Sequence, residues 1–425
     1  MSTVLKLLKP PIIVLLLVFL MIGAGLGYMA HPSTPASTTP STPTSTWPSE
    51  IPIGVLLTMS GGASTYGTRA QAVIKIAESE INSYVGTLGI PTTFKFYYED
   101  WQTQPAVALT QLQALSARGI RVVIGGLTSG GTKAIASYAD SNQIVVITGL
   151  SVAPRDQVAP AGDYIFRDSG SVQAEGAALT LALQSKGYSN VMMLSDQETY
   201  CNAIHDAFKT DWTAAGGNIA SDVTYADGTK DFTVALTSLE NAVAPILAAK
   251  QKVAFIANMY EDVVILLNQA VARNSPLLHL TWFGTDNYAG DNLVTQQAGT
   301  PASEVNLISV LPSAPETAKH RELDTALNAS IGQLPDIYAL CAYDAAWMAA
   351  LAILQAGSYN ATLVKNILPT VSASYWGATG NPAMGPSGDR GTMDQDVWAV
   401  VQDQWIKAGY YSSTTNTLAW LVPGF

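Results

Sequence analysis

Ile51-Pro-Ile-Gly-Val-Leu-Leu-Thr-Met-Ser-Gly-Gly-Ala-Ser-Thr-Tyr-Gly67 carries the pattern that decides the fold. Ile51–Thr58 is apolar almost throughout and reads as a buried strand. Thr58–Tyr66 is a loop of small polar residues, and Gly67–Val85 brings apolar residues back at helical spacing, at Ala70, Val73, Ile74, Ala77 and Ile81. The same unit then repeats. Strands are expected at Thr92–Glu99, Arg121–Gly125 and Ile144–Thr148, with helices at Pro105–Arg118 and Gly131–Ser141 between them. Such βαβα order implies a parallel, doubly wound sheet with helices on both faces.

After a break at Asp163–Ser171 the order resumes. Helices are predicted at Val172–Lys186, Tyr200–Ala215, Phe232–Leu247 and Glu261–Arg273, and strands at Asn190–Ser195, Asn218–Tyr225, Val253–Ala257 and Leu277–Phe283. Two successive α/β units fit two similar lobes. The last third, with a strand near Val305–Leu311 and helices at Ala318–Ile331 and Ile337–Leu354, is too short for a third domain and is expected to complete the two sheets.

The 425 residues carry 21 Lys+Arg against 32 Asp+Glu, a formal net charge of −11, and only 12% are charged. An acidic chain lacks the basic stripe needed to displace counterions from nucleic acid. With 48% hydrophobic residues it can bury a large core and is not disordered. Two cysteines, Cys201 and Cys341, exclude a disulfide-stapled scaffold and read as small buried residues.

Lys6 and Lys9 precede Ile12–Met29, which holds no charge and is just long enough to cross a bilayer. The positive-inside rule places the N-terminus in the cytoplasm and the remainder of the chain outside it. Residues 1–30 therefore read as an anchor, or as a signal segment if cleaved. Residues 31–50, rich in Ser, Thr and Pro, cannot bury apolar area and read as a stalk. Asn328-Ala-Ser330 and Asn360-Ala-Thr362 are glycosylation sequons, in keeping with an outside location.

In open α/β sheets ligands sit at the carboxyl ends of strands. Three loops there are rich in small polar residues: Thr58–Tyr66, Gly125–Thr132 and Thr148–Pro154. Backbone N–H groups at a helix start suit a carboxylate. Gly126–Lys133 fails as a phosphate loop, because Thr132 stands where the lysine is needed. His31, His205, His279 and His320 are scattered, no GxSxG elbow occurs, and neither a metal site, a cofactor nor an enzymatic role is expected. Tyr66, Trp101, Tyr200 and Tyr260 fall near strand ends, and Asp286 follows another; aromatics beside one acid suit a small solute with an ammonium group.

These segments, in this order, resemble the extracytoplasmic solute-binding proteins of branched-chain amino acid ABC transporters, the Leu/Ile/Val-binding type. The resemblance spans about 51–405. It rests on Ile53–Gly61 with Tyr66-Gly67, Glu99-Asp100 before Pro105, Gly125–Thr132, Phe166-Arg167-Asp168, Asp196–Tyr200, the intact Gly228-Thr-Lys-Asp-Phe232, Tyr343-Asp344-Ala345, and Gly385-Pro386 with Gly388-Asp389. It implies a periplasmic binding protein type 1 fold: two doubly wound parallel-sheet lobes, joined by three crossovers, that close on ligand. One lobe would be 51–169 plus 313–390, the other 170–312 plus 391–425.

It further implies that Ser129, Gly130, Leu150, Ser151 and Val152 face the polar head of an amino acid, and that Tyr200 and Tyr260 come from the closing lobe. Asp286 would pair with the ammonium, and Tyr66 would lie beside the ligand's side chain. Val152 departs from the family's usual threonine, a lost hydroxyl costing roughly 1 kcal/mol unless replaced. The implied partners are a small solute and an ABC permease. A ligand-sensing domain on the same fold is the alternative.

Overall fold

The computed structural model describes residues 47–159 and 164–425. The expected membrane segment, and all of the stalk up to residue 46, lie outside the described residues. The folded unit begins earlier than expected: Trp47 packs against the first core and Glu50 opens the first strand instead of ending a stalk.

That strand, β1 (Glu50–Leu57), is the hub of a five-stranded parallel sheet. Its neighbours are β2 (Thr93–Asp100) and β3 (Val122–Gly125), followed by β4 (Val145–Thr148) and β5 (Ile165–Arg167), in the order β2-β1-β3-β4-β5. Helices α1 (Ser64–Thr87), α2 (Pro105–Ala117), α3 (Ser129–Ser141) and the single turn α4 (Arg155–Val158) link them. Strand and helix are joined tightly here. A Cβ on Gly67 would lie 1.9 Å from the Thr58 carbonyl oxygen, so only glycine lets the first turns of α1 rest on the end of β1.

The second sheet contains β6 (Asn190–Asp196), β7 (Asn218–Tyr225), β8 (Ala254–Asn258), β9 (Trp282–Gly284) and β10 (Ile308–Pro312), all parallel. Its helices are α5 (Val172–Ser185), α6 (Thr199–Ala214), α7 (Thr233–Ala248), α8 (Val263–Ala272) and α9 (Asn292–Glu304). The expected strand Leu277–Phe283 shrinks to β9. Pro276, which has no N–H for a ladder, opens a 3₁₀ turn, capped by the Ser275 hydroxyl accepting from the Leu277 N–H.

The expected parallel sheets are present, and the second carries an addition that the sequence reading did not foresee. Three antiparallel strands, β11 (Gln395–Val401), β12 (Gln404–Ser412) and β13 (Thr417–Trp420), extend the second sheet to eight. The turn between β11 and β12 puts Gln402 and Asp403 at φ 49° and 61°, the backbone of a tight hairpin made without the usual Asn-Gly pair.

Between the sheets' contributions run α10 (Ala318–Ile331), α11 (Ile337–Ala356) and α12 (Ala361–Ser374), which cover one face of the first sheet. The 20-residue α11 is apolar enough to span a membrane, yet most of it is buried in this core. The chain thus passes between the sheets near 168–171, 313–317 and 390–394. At the first and third passages Asp389 clamps Arg167 through two bonds, 2.7 and 2.6 Å, and accepts from Arg155 at 2.9 Å.

Candidate functional site

Loops at the carboxyl ends of strands from the two sheets meet at Thr65 with Glu261 and Asp291, and at Gly130 with Glu198. A continuous buried cluster crosses this boundary and includes Tyr66, Leu150, Val152 and Tyr338 from the first sheet's side and Tyr200, Cys201, Tyr260 and Ala289 from the second. The two halves are therefore closed on each other.

At the centre lie two carboxylates. Glu175, on the first turn of α5, and Asp286, just after β9, are 2% and 1% exposed. Glu175 Oε1 accepts the Asp286 N–H at 2.9 Å and the Tyr200 hydroxyl at 2.8 Å. Tyr338 donates to Asp286 Oδ2, and Tyr66 donates to the Asp286 carbonyl at 2.9 Å. The rings of Tyr66 and Tyr338 meet edge to face at 5.6 Å; those of Tyr200 and Tyr260 lie tilted to each other at 6.1 Å. Burial, with Asp286 as neighbour, pushes Glu175 well above the ordinary carboxylate range, and burial raises Asp286 to about 6.

A third carboxylate bridges the boundary. Glu198 caps α6, and its Oε2 accepts from the Tyr200 N–H at 2.6 Å and the Tyr260 hydroxyl at 3.1 Å. Its Oε1 accepts the N–H of Gly130, in the first turn of α3, at 2.9 Å. Burial raises the Glu198 carboxyl against the pull of those N–H groups. At the rim, Glu261 and Asp291 from the second half both accept from Thr65 at the start of α1.

Of the residues singled out from the sequence, Tyr66, Tyr200, Tyr260 and Asp286 converge at this centre. Gly130 meets it through Glu198. Ser129 turns into its own lobe, its hydroxyl accepting the Ala153 N–H at 3.1 Å. Leu150 and Val152 pack in the boundary cluster, and Ser151 is fully buried with its hydroxyl unpartnered. Cys201 and Cys341 are unpaired and buried. Among the described residues no cluster of ligating side chains could hold a metal.

Sequence reasoning missed Glu175, Glu198 and Tyr338. Glu175 left a signal, a lone acid on the apolar face of Val172–Leu183. Glu198 left a weaker one, an acid at a helix-capping position two residues before Tyr200.

Two α/β lobes closed over a polar centre supplied by strand-end loops of both define a solute clamp, not a catalytic pocket. The chain belongs to the periplasmic binding protein family, whose pattern it matches over residues 50–408. An uncharacterized protein of Methanocaldococcus jannaschii is 29% identical over 386 residues, 87% of this chain and 91% of that one. The Leu/Ile/Val-binding protein BraC3 of Rhizobium johnstonii is 26% identical over 195 residues, 45% of this chain and 52% of its own. Among solved structures, the leucine-binding protein LivK of Thermotoga maritima superposes with a TM-score of 0.73 at 19% identity, covering 86% of this chain and 99% of that one. The substrate-binding protein LivJ of Streptococcus pneumoniae, in complex with isoleucine, gives 0.69 at 21%, covering 84% and 97%. These likenesses show the shared fold. The family consists of extracytoplasmic solute-binding proteins, not enzymes.

Proposed function

We propose that this chain captures an amino acid or similar small polar solute between its two lobes and delivers it to the permease of an ABC transporter. Residues 1–30 would hold it at the outer face of the cell membrane, with a stalk reaching from residue 31 toward Trp47. The lobes would be 51–169 plus 313–390 and 170–312 plus 391–425, a division supported by the packing of α10–α12 on the first sheet and of β11–β13 in the second.

The observation that carries this reading is the convergence of Tyr66 and Tyr338 from one lobe with Tyr200, Tyr260 and Asp286 from the other on one buried centre. Tyr66, Ser129, Gly130, Leu150, Ser151, Val152, Tyr200, Tyr260 and Asp286 would surround the solute, with Asp286 taking an ammonium group. Isothermal titration against amino acids, amides, urea and short carboxylates tests the reading. Saturable binding of one class is expected, and silence across the panel would overturn it.

A further inference from the structure

Helix α3 offers, at its N-terminus, the seat in which a ligand carboxylate would be expected to lie, and that seat is taken. Glu198 reaches across from the facing lobe and accepts the Gly130 N–H at 2.9 Å, with the Thr128 hydroxyl at 3.5 Å. A Cβ on Gly130 would stand 2.4 Å from Glu198 Oε1, so the bare backbone is what admits the side chain. The N-terminus of the helix is thereby already occupied by an acid belonging to the protein.

The centre below is the reverse of an anion site. Among the described residues no Lys or Arg lies within salt-bridge distance of Glu175, Asp286 or Glu198; the nearby buried Arg69 is committed to Asp336 at 3.1 Å. Four tyrosines gather at the acids in two ring pairs, Tyr66 with Tyr338 and Tyr200 with Tyr260, and a tyrosine ring is a partner for a cation. Two further acceptors at the same strand ends are unused: Thr285 Oγ1, 1% exposed and adjacent to Asp286, and Asn258 Oδ1, 1% exposed, whose amide nitrogen donates to the Cys201 carbonyl at 2.7 Å. Buried acids that have hydrogen-bond donors but no cation, beside polar atoms left unpartnered, suit an N–H donor carrying positive charge.

We infer that the solute is an organic amine without a carboxylate of its own, and that Glu198 stands in the seat where an amino acid's carboxylate would otherwise bind. The inference rests on the solute-binding reading above. An α-amino acid would have to displace Glu198 from the Gly130 N–H and the Thr128 hydroxyl and would leave its Oε1 buried without them. An amine needs only to replace the hydroxyl and N–H donors that now hold Glu175 and Asp286.

The test pairs each amino acid with the amine differing from it only by the carboxylate: leucine with isoamylamine, lysine with cadaverine, arginine with agmatine. The full chain is titrated calorimetrically with each. In the best-bound pair the amine is expected to bind at least about tenfold more tightly, the worth of one charge-assisted hydrogen bond. Glu198→Ala vacates the seat and is expected to reverse that preference; Glu198→Gln, which keeps the size, should narrow it. An unmutated chain that binds the amino acid as tightly as its amine, or tighter, overturns the inference while leaving the solute-binding reading standing. Silence toward the pairs and toward the wider panel overturns both.

Discussion

Thr65 grips the carboxylate of Glu261 twice, through its backbone N–H at 3.1 Å and its hydroxyl at 2.9 Å, although the two residues belong to different lobes. Thr65 sits in the first turn of α1, so the acid also meets the positive end of that helix. The contact joins residues on the two sides of the lobe boundary, so parting the lobes would break it.

Closure should therefore depend on pH. Burial raises Glu261 to about 7 and Asp286 to about 6, and drives Glu175 upward as well. In an open form these groups meet water and return to about 4. The closed form holds more protons over that window, so it is favoured at low pH and loses ground as pH rises from about 4 toward 7. Small-angle scattering of the ligand-free chain should give a smaller radius of gyration at pH 5 than at pH 8. Thr65→Val should enlarge it at both. A radius indifferent to pH would show that these acids do not govern closure.

Asp286→Ala removes the acid assigned to the ammonium group, and binding of a cationic or zwitterionic solute should fall below detection by calorimetry. Asp286→Asn keeps the Tyr338 contact but not the charge and should retain the fold with strongly weakened binding. If Asp286→Ala binds as before, the polar head is read elsewhere.

The clamp at the lobe junction is structural. Asp389→Ala would take the carboxylate partner from the Arg167 guanidinium, which is 5% exposed. Breaking a buried pair in this way costs about 3–5 kcal/mol. The melting temperature should drop by several degrees or more, as calorimetry or circular dichroism would record. A drop no larger than that of an exposed control such as Asp206→Ala would assign the clamp no weight.

Asp168, at the first passage between the sheets, is fully buried, and neither carboxylate oxygen finds a hydrogen-bond partner in another residue. Burial, with Asp344 nearby, lifts it to about 8. A raised carboxyl contributes its full stability below the unfolded value, near 4, and loses it as pH climbs through 8. Asp168→Asn, which cannot ionise, should raise the melting temperature at pH 8 and change it little at pH 5. Equal effects at the two values would refute the titration.

The parallel cores were readable because their strands are buried on both faces and appear as short apolar runs, as at Val122–Gly125 and Val145–Thr148. The β11–β13 ribbon escaped because its hairpin turns on Gln402-Asp403, which does not advertise a positive φ. Tyr66, Tyr200, Tyr260 and Asp286 were legible from strand-end position alone. Glu175 and Tyr338 were not, since each becomes part of the centre only when a lobe assembled from distant segments brings it there. Glu198 was hidden for another reason: a capping acid looks the same whether or not a second helix start faces it.

Neither lobe is made from one stretch of chain. The five-stranded sheet begins at Glu50 but needs α11, ending at Ala356, to cover its face, and the eight-stranded sheet begins at Asn190 but is completed only by Thr417–Trp420. During synthesis one face of the first sheet stays bare until α11 has been made, and the second sheet lacks its last strands until the end. Synthesis thus holds the chain incompletely folded almost to its last strand, a state suited to threading through a membrane channel before the clamp takes shape on the far side.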